Sequence, residues 1–433
     1  MSNDFISFLG FVSLMGLLLI RVPVGIAMGF VGVTGYMTIV GWWPGLNLLV
    51  NSPLRTAIDY NFSVLPMFIL MGVLASGSGM SMEIYRAGRA WFGHLQGGLA
   101  LSTIVACGGF SAINGSAIAT TATMTTIALP EMRRSGYAPG PSAGVIAAGG
   151  TLGIMIPPSV VFLLYGILTD QDIGRLFMAG VLPGMLAIVL YIITIQIMAR
   201  VSPTTFPRMA RASSEERWQS LQGIWATALL FLIVVVSIYW GFATITESAA
   251  IGAVGAFVIG VARRRLMFSA TMMALVEALR ISASIFTIAI GAYLFGYFLT
   301  VTQTTQNLTS FLTGLPVGPY TVLALILLVY LVLGALMDEL AMILLTVPIV
   351  FPAIVALGFD PIWFGVILVM TVTLGLTMPP IGMNVFVIKA QAQDLSLGMI
   401  YRGTAPFILA DLVRLAILVL FPAISLFLPS TMN

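Results

Sequence analysis

Charge is scarce in this chain. Only 8% of its 433 residues are Asp, Glu, Lys or Arg, against roughly a quarter in soluble globular domains. With 59% hydrophobic residues, a soluble core could not hide the apolar surface, so the chain reads as an integral membrane protein. No polar stretch is long enough for a soluble catalytic domain; the longest spans about residues 202–219. A single cysteine, Cys107, excludes an internal disulfide and a thiolate cluster. A single histidine, His94, excludes a histidine-based metal site. With so few convergent catalytic groups, a membrane-embedded enzyme is disfavoured. Lysine is nearly absent too, Lys389 being the only one, so the net charge of +3 is carried by arginine. In a membrane protein that excess reports loop topology, not nucleic-acid binding. The start, MSNDFISFLGFVSLMGLLLIRVP, has neither the basic n-region nor the cleavage site of a signal peptide. It is expected to be a retained first span.

The arginines order the spans. Loops rich in them stay cytoplasmic, and the clearest are Arg200–Arg217 and Arg263-Arg264-Arg265. Two apolar stretches, about 221–240 and 244–262, carry the chain out and back between them. Working backwards, 176–199 runs inward and 139–168 outward, which leaves Arg133 and Arg134 cytoplasmic with Arg86 and Arg89. Residues 95–130 then enter and leave on one face. Two full spans need ~40 residues plus a turn, and the middle of this segment is the polar GGFSAINGSAIATTAT. A re-entrant helical hairpin is expected, its tip held at membrane depth where irregular backbone must be buried or line a cavity. The same path places both termini in the periplasm.

Proline marks a second feature. TLGIMIPPS, residues 151–159, returns 222 positions later as TLGLTMPPI, residues 373–381. At that offset Pro130 falls on Pro352, Gly136 on Gly358, Pro139 on Pro361 and Gln171-Asp172 on Gln393-Asp394. The agreement is ungapped and concentrated at Gly and Pro, as an internal duplication requires. Five spans separate the two broken helices, so the second copy is inverted, the pattern of an alternating-access transporter. A second hairpin, 318–357, follows by the same alignment, with Asp338 where the first has Ser116; about 302–318 before it is expected to be a short, weakly charged periplasmic loop. A channel suits two inverted occluding hairpins less well.

Interrupted helices expose unpaired carbonyl and N–H groups. Free carbonyls suit a small hard cation, while helix N-termini attract an anion. Two hairpin tips facing two broken helices thus predict two cation pockets and a place for a carboxylate. A carboxylate at membrane depth is expensive, which singles out Asp338; Glu339 is left undecided. His94 is expected at the membrane surface, Cys107 in packing, and Glu247 and Glu277 solvated near helix ends. The seven tryptophans are expected mostly at span ends.

These residues resemble the large, DctM-like membrane subunit of tripartite ATP-independent periplasmic (TRAP) transporters. The resemblance covers nearly the whole chain through RVPVGIAMG, LPMFILMGVL, SAINGSAIAT, GGTLGIMIPPS, MDELAMILLTVPIVFP and LGLTMPPIGMNVFV. It implies an all-α polytopic inverted-repeat elevator with two re-entrant hairpins and two broken helices, and sodium-coupled uptake of a small organic acid across the bacterial inner membrane. The implied partners are a separate small membrane subunit and a periplasmic binding protein, with lipid around the spans. Implied sodium ligands are Ser111, Asn114, Gly115, Thr151 and Gly153 at the first site. Asp338, Thr373, Gly375 and Met378 form the second, and Ser116, Ser159 and Asn384 contact substrate. Relatives often read Ser-Gly-Ser at the first tip where this chain reads Asn114-Gly115-Ser116. Scaffold segments are expected at 1–94, 176–301 and 401–433, and transport halves at 95–175 and 302–400. The alternative is a standalone dicarboxylate or citrate carrier, though the Ser-Asn-Thr tips typical of those are absent.

Overall fold

The computed structural model describes residues 3–432, which form helices joined by turns, with no strand among them. Three helices come first: α1 (Asn3–Leu19), α2 (Val24–Val40) and α3 (Trp42–Ile58). A series of seven follows: α4 (Val64–Gly77), α5 (Met80–Phe92), α6 (Gly98–Asn114), α7 (Ala117–Arg134), α8 (Pro139–Met155), α9 (Val160–Thr169) and α10 (Ile173–Val201). Two connecting spans, α11 (Ser214–Tyr239) and α12 (Ile245–Ala262), lead to the second series. That series is α13 (Phe268–Val301), α14 (Thr304–Thr313), α15 (Pro319–Leu336), α16 (Glu339–Ala356), α17 (Pro361–Gly375), α18 (Met383–Gln391) and α19 (Leu397–Leu420). A short α20 (Ala423–Ser430) ends it. Nine helical segments among the described residues are long and apolar enough to cross a membrane, with α8 and α9 counted as one.

The duplication holds element by element. Both ends of α7 lie 222 residues before those of α16, and α6, α8 and α9 match α15, α17 and α18 to within a residue or two. Local chemistry explains the shared boundaries. Pro139 and Pro361 occupy the first helical position, where a missing N–H costs nothing and the fixed φ suits a helix. Asp172 and Ser396 cap α10 and α19. Ser213 and Thr244 open α11 and α12 with reciprocal capping boxes, so Glu247 is committed to the Thr244 backbone N–H at 2.7 Å.

Two sequence expectations are corrected. The periplasmic loop expected at about 302–318 contains α14, the repeat counterpart of the amphipathic α5. It reads TTQNLTSFLT, with too few apolar residues to signal a helix, and is steadied by Ser7–Thr304 (2.8 Å) and Asn307–Asp4 (3.1 Å) hydrogen bonds. Trp363 is not an interfacial anchor: it is buried in the first turn of α17 and its indole N–H donates to Leu418 O at 3.0 Å. The other six tryptophans are exposed.

Packing positions the site. In each repeat the re-entrant hairpin lies against its broken helix, α6 and α7 on α8, α15 and α16 on α17. Helix α19 runs along α8, and α10 packs on α6, α9, α17 and α19. On the other side, α4 packs on α12 and α13, and α2 runs along α13. The α5 arm is held to the end of α12 by Glu83, which pairs with Arg263 and with Arg265 at 3.0 Å.

Candidate substrate and cation site

The hairpins turn at Gly115-Ser116 and at Met337-Asp338. Each turn supplies the cap of the helix that follows. Ser116 Oγ accepts from Ala119 N–H at 3.4 Å; Asp338 Oδ1 accepts from the N–H groups of Leu340 (3.0 Å) and Ala341 (3.3 Å). One position in the repeat therefore does one structural task with two different charges. Asp338 uses only one carboxylate oxygen for it.

The breaks fall where proline removes donors: between Met155 and Val160, and between Gly375 and Met383. The Pro157-Pro158 and Pro379-Pro380 bonds are both cis. At the first break Ser159 Oγ donates to Ile154 O (2.6 Å) and accepts from Phe162 N–H (3.3 Å), capping α9. The corresponding residue at the second is Ile381, which cannot cap. There the carbonyls of Pro380 and Ile381 accept from the Tyr401 hydroxyl at 3.0 and 2.6 Å.

Each tip is seated on its own break by backbone contact. A Cβ on Gly153 would lie 2.4 Å from Ser116 O, and one on Gly375 would lie 2.4 Å from the Gly334 carbonyl carbon. Both are closer than any side chain tolerates, so glycine is required for steric reasons at two repeat-related positions. The Ile381 N–H also donates to Ala335 O at 3.3 Å, tying the second hairpin to the second break.

Of the residues expected at the first cation site, Gly153 meets Ser116 O and Gly115 meets Pro158 O, while Ser111 and Asn114 lie on α6 and Thr151 on α8. Ser111 Oγ is buried without a hydrogen-bond partner, and Asn114 Nδ2 reaches Thr120 Oγ1 at 3.5 Å. Thr151 and Thr373 behave alike: each hydroxyl donates at 2.6 Å to a carbonyl one turn back, Ala148 or Met370. Met378 is half-buried, its N–H bonded to Leu374 O at 3.1 Å. Of the expected substrate residues, Ser116 and Ser159 lie together at the first tip, a Cβ on Gly115 being 3.7 Å from Ser159 Cα, and Asn384 lies apart. Ser116 lines a cavity; Ser159 is buried in its cap. Asn384 is buried against α8, where Nδ2 donates to Ala147 O at 3.0 Å and Oδ1 has no partner.

That cavity, about 610 Å³, lies where the two tips approach each other across α4 and α13. First turns of three helices border it: Ser116 and Ala119 of α7, Val160 and Val161 of α9, Glu339 and Leu340 of α16. Its other end reaches Gly77 of α4 and Ala270–Glu277 of α13, beside Arg265, which donates to Ser78 O at 3.0 Å. No Lys, Arg or His is among its lining residues. Positive potential must come from helix N-termini, each equivalent to roughly half an elementary charge. Glu277 is thus not near a helix end; it sits ten residues into α13, half-exposed at the cavity edge and 3.9 Å from Arg280.

Sequence reasoning missed a buried network behind the first break. The Tyr191 hydroxyl lies 2.8 Å from both Asp411 oxygens and 3.1 Å from Thr151 Oγ1. Asp411 pairs with Arg414 at 2.9 Å, and both side chains are 2% exposed or less. The signal was available: an acid and a base three apart, one helical turn, inside an apolar span.

Comparison with known proteins fits this architecture. Residues 11–424 match DctM, described as the tripartite ATP-independent periplasmic transporter, DctM component. The C4-dicarboxylate TRAP transporter large permease protein DctM of Pseudomonas aeruginosa is 36% identical over 401 residues, covering 92% of this chain and 93% of the relative. The isethionate TRAP transporter permease protein DctMQ of Oleidesulfovibrio alaskensis is 31% identical over 414 residues, covering 95% of this chain but 64% of that longer protein. The crystal structure of the Alcanivorax borkumensis YdaH transporter superposes with a TM-score of 0.62 at 15% identity, covering 88% and 90% of the two chains; that likeness concerns the fold. The extent of the family match, at these identities, sets aside the standalone-carrier alternative: the chain is a multi-pass membrane protein that belongs to the DctM family, the large permease component of tripartite ATP-independent periplasmic transporters, and it is a transporter subunit rather than an enzyme.

Proposed function

We propose that this permease takes up a small organic acid, handed over by its periplasmic binding protein, in symport with sodium and by an elevator movement. The convergence of the α7 and α9 N-termini and both hairpin tips on one cavity carries this reading. Dipoles aligned on one point favour a carboxylate. The cavity ends beside the Arg263–Arg265 loop, which the positive-inside rule makes cytoplasmic; in this reading the cavity opens inward and both termini lie in the periplasm.

The residues at both seats fit sodium. Among the described residues no group of three or more His, Cys, Asp or Glu converges, and the donors are carbonyl, hydroxyl and carboxylate oxygens, which suit a hard cation. Ser111, Asn114, Gly115, Thr151 and Gly153 would hold one ion, the unpartnered Ser111 Oγ being the supporting observation. Asp338, Thr373, Gly375 and Met378 would hold the second, with the free carboxylate oxygen offsetting the charge. A bound cation supplies the driving force; the chain's own work is to seat each tip on its break and close the cavity.

The moving body in this reading comprises both hairpins, both broken helices, and α10 and α19 as well. Those two helices fall in the segments first assigned to the scaffold, 176–301 and 401–433, yet they pack along α8 and α17. The scaffold is then α1–α5 with α11–α14, extended by the small subunit. The DctMQ relative is longer than the segment that matches this chain, which covers 64% of it.

Uptake into vesicles containing this chain and its small subunit, under a sodium gradient, should be negligible at low micromolar substrate until the binding protein is added. Uptake without it sinks the tripartite part of the reading. Cysteines placed at Arg86 and Arg133 in a Cys107→Ser background should resist an impermeant periplasmic reagent; labelling of either breaks the topology.

A further inference from the structure

We propose that Arg86 and Arg211 build a phosphate-binding site on the cytoplasmic face, and that it takes the headgroup of an anionic phospholipid. The inference goes beyond the transport reading and does not depend on the substrate cavity.

A hollow of about 550 Å³ lies between α5, the loop 202–213 that joins α10 to α11, and the first turns of α11. One face of α5 forms its floor. Arg86, Arg89, Ala90 and Gly93 recur three and four residues apart, while Ile84, Tyr85, Ala87 and Gly88 turn into the protein. Ala90, Gly93, Ala210 and Ala212 are small and leave the space open. The loop is pinned over the floor by the Met209 N–H, which donates to Gly93 O at 3.3 Å, and by Phe206, buried edge-on against Tyr137. Helix α11 is held on α5 with the Arg217 guanidinium 5.8 Å above the Trp91 ring.

Three arginines line this hollow against one acid, Glu216. Arg89 is paired with Glu131, and Glu216 Oε2 accepts from the Ser213 N–H at 3.0 Å in its capping box. Arg86 on α5 and Arg211 on the loop have no hydrogen-bond or ion-pair partner for their side chains among the described residues. Two unpaired planar forks at one hollow suit the oxygens of a phosphate.

The surroundings favour a lipid over a soluble phosphate. Trp91 and Phe92 on α5 and Trp218 on α11 are exposed beside the hollow, and such rings favour the membrane interface, so it opens at headgroup depth. From there Trp218, Trp225, Leu229, Leu232 and Val236 recur at helical spacing, all of them exposed, and form an apolar stripe along α11 for acyl chains. Basic pockets beside spans on the cytoplasmic side attract the anionic headgroups of that leaflet.

The test titrates this chain with its small subunit, in detergent, with dioleoyl phosphatidylglycerol or dioleoyl phosphatidylcholine, and counts bound lipid by native mass spectrometry. Phosphatidylglycerol should bind tighter by about tenfold or more, the scale of two arginines at a membrane surface. The double variant Arg86→Gln/Arg211→Gln should lose that preference, with its thermal midpoint in phosphatidylcholine unchanged because neither side chain has a partner to lose. Arg134→Gln/Arg402→Gln, which removes the same charge outside the hollow, should keep it. Should the double variant not fold, Arg211→Gln alone, on the exposed loop, should still cut the preference by about fivefold. Equal binding of the two lipids would overturn the inference, as would a preference that survives the double variant or falls as far in the control pair. Displacement of the lipid by glycerol 3-phosphate would give the site to a soluble phosphate and overturn the lipid assignment. Lipid binding seen only after the small subunit is removed would give this surface to that subunit and overturn it too.

Discussion

At Ser116 the first hairpin caps its returning arm with a neutral hydroxyl; 222 residues later Asp338 caps the matching turn with a carboxylate. The breaks opposite them differ as well. Ser159 closes the first with its own side chain, whereas the second leaves Ile381 in that place and borrows Tyr401 to satisfy two carbonyls. The surroundings diverge further: behind the first break, Thr151 meets Tyr191 and a buried Asp411–Arg414 pair, while Thr373 reaches only Met370. Even the arms differ, α5 being fixed by Glu83 to two arginines and α14 by uncharged or exposed hydrogen bonds. Duplication thus preserved backbone geometry, which glycine and proline dictate, and released the side chains that answer to different ends of the protein. The first seat is neutral and braced from behind; the second carries its own charge and is held by fewer contacts.

The shared geometry is the part most easily broken. Gly153→Ala and Gly375→Ala each drive a methyl into backbone 2.4 Å away, and overpacking of this kind costs about 1–3 kcal/mol when neighbours cannot yield. Both should abolish uptake in vesicles while the protein still inserts. A tolerated Gly375→Ala with a dead Gly153→Ala would show that the second hairpin is free to shift, and the equivalence of the two seats would fail.

The charge difference comes next. Asp338→Asn keeps an oxygen for the Leu340 and Ala341 N–H groups and removes only the charge. It should raise the sodium concentration for half-maximal uptake by about tenfold, the scale of a charge-assisted contact, with the thermal midpoint nearly unchanged. Ser116→Ala loses a single long cap bond and should cost about 1 kcal/mol or less, with a small change in sodium dependence. Equal sodium effects from both would mean that the carboxylate gives the second seat no special role.

The brace behind the first break should act on stability more than on sodium dependence. Tyr191→Phe removes a hydroxyl that bridges Asp411 and Thr151, leaving Asp411 to Arg414 alone. A loss of about 1–3 kcal/mol is expected, read as a lowered thermal midpoint in detergent. Uptake should fall through a weaker first seat. A mutant with unaltered midpoint and uptake would show that the network does not brace the break.

Much of this fold was legible because its strongest signals are backbone signals. Proline pairs, glycines at a fixed offset, arginine-rich loops and long apolar runs each report a local constraint that acts wherever the chain goes. They gave the hairpins, the breaks and the repeat, and the shared helix ends follow from caps and prolines within a few residues. Asp338 stood out as an acid in an apolar run, though its capping of α16 is visible only in the hydrogen bonds. Residues 302–318 were misread because α14 has too few apolar positions for periodicity to reveal it, and packing against α16 rather than propensity holds it in place.

What the sequence determined alone was the membrane class, the inverted duplication and the places where helices must stop, since these depend on neighbours within a turn or two. Tertiary structure decided which side chains meet. Asn384 was expected at the substrate and lies against Ala147; Glu339 was left open and faces the cavity; Tyr191, Asp411 and Arg414 come from two spans 220 residues apart and share one buried cluster. Which face of a helix looks into a cavity depends on how whole helices cross, and in a chain apolar on nearly every face no periodicity marks that choice.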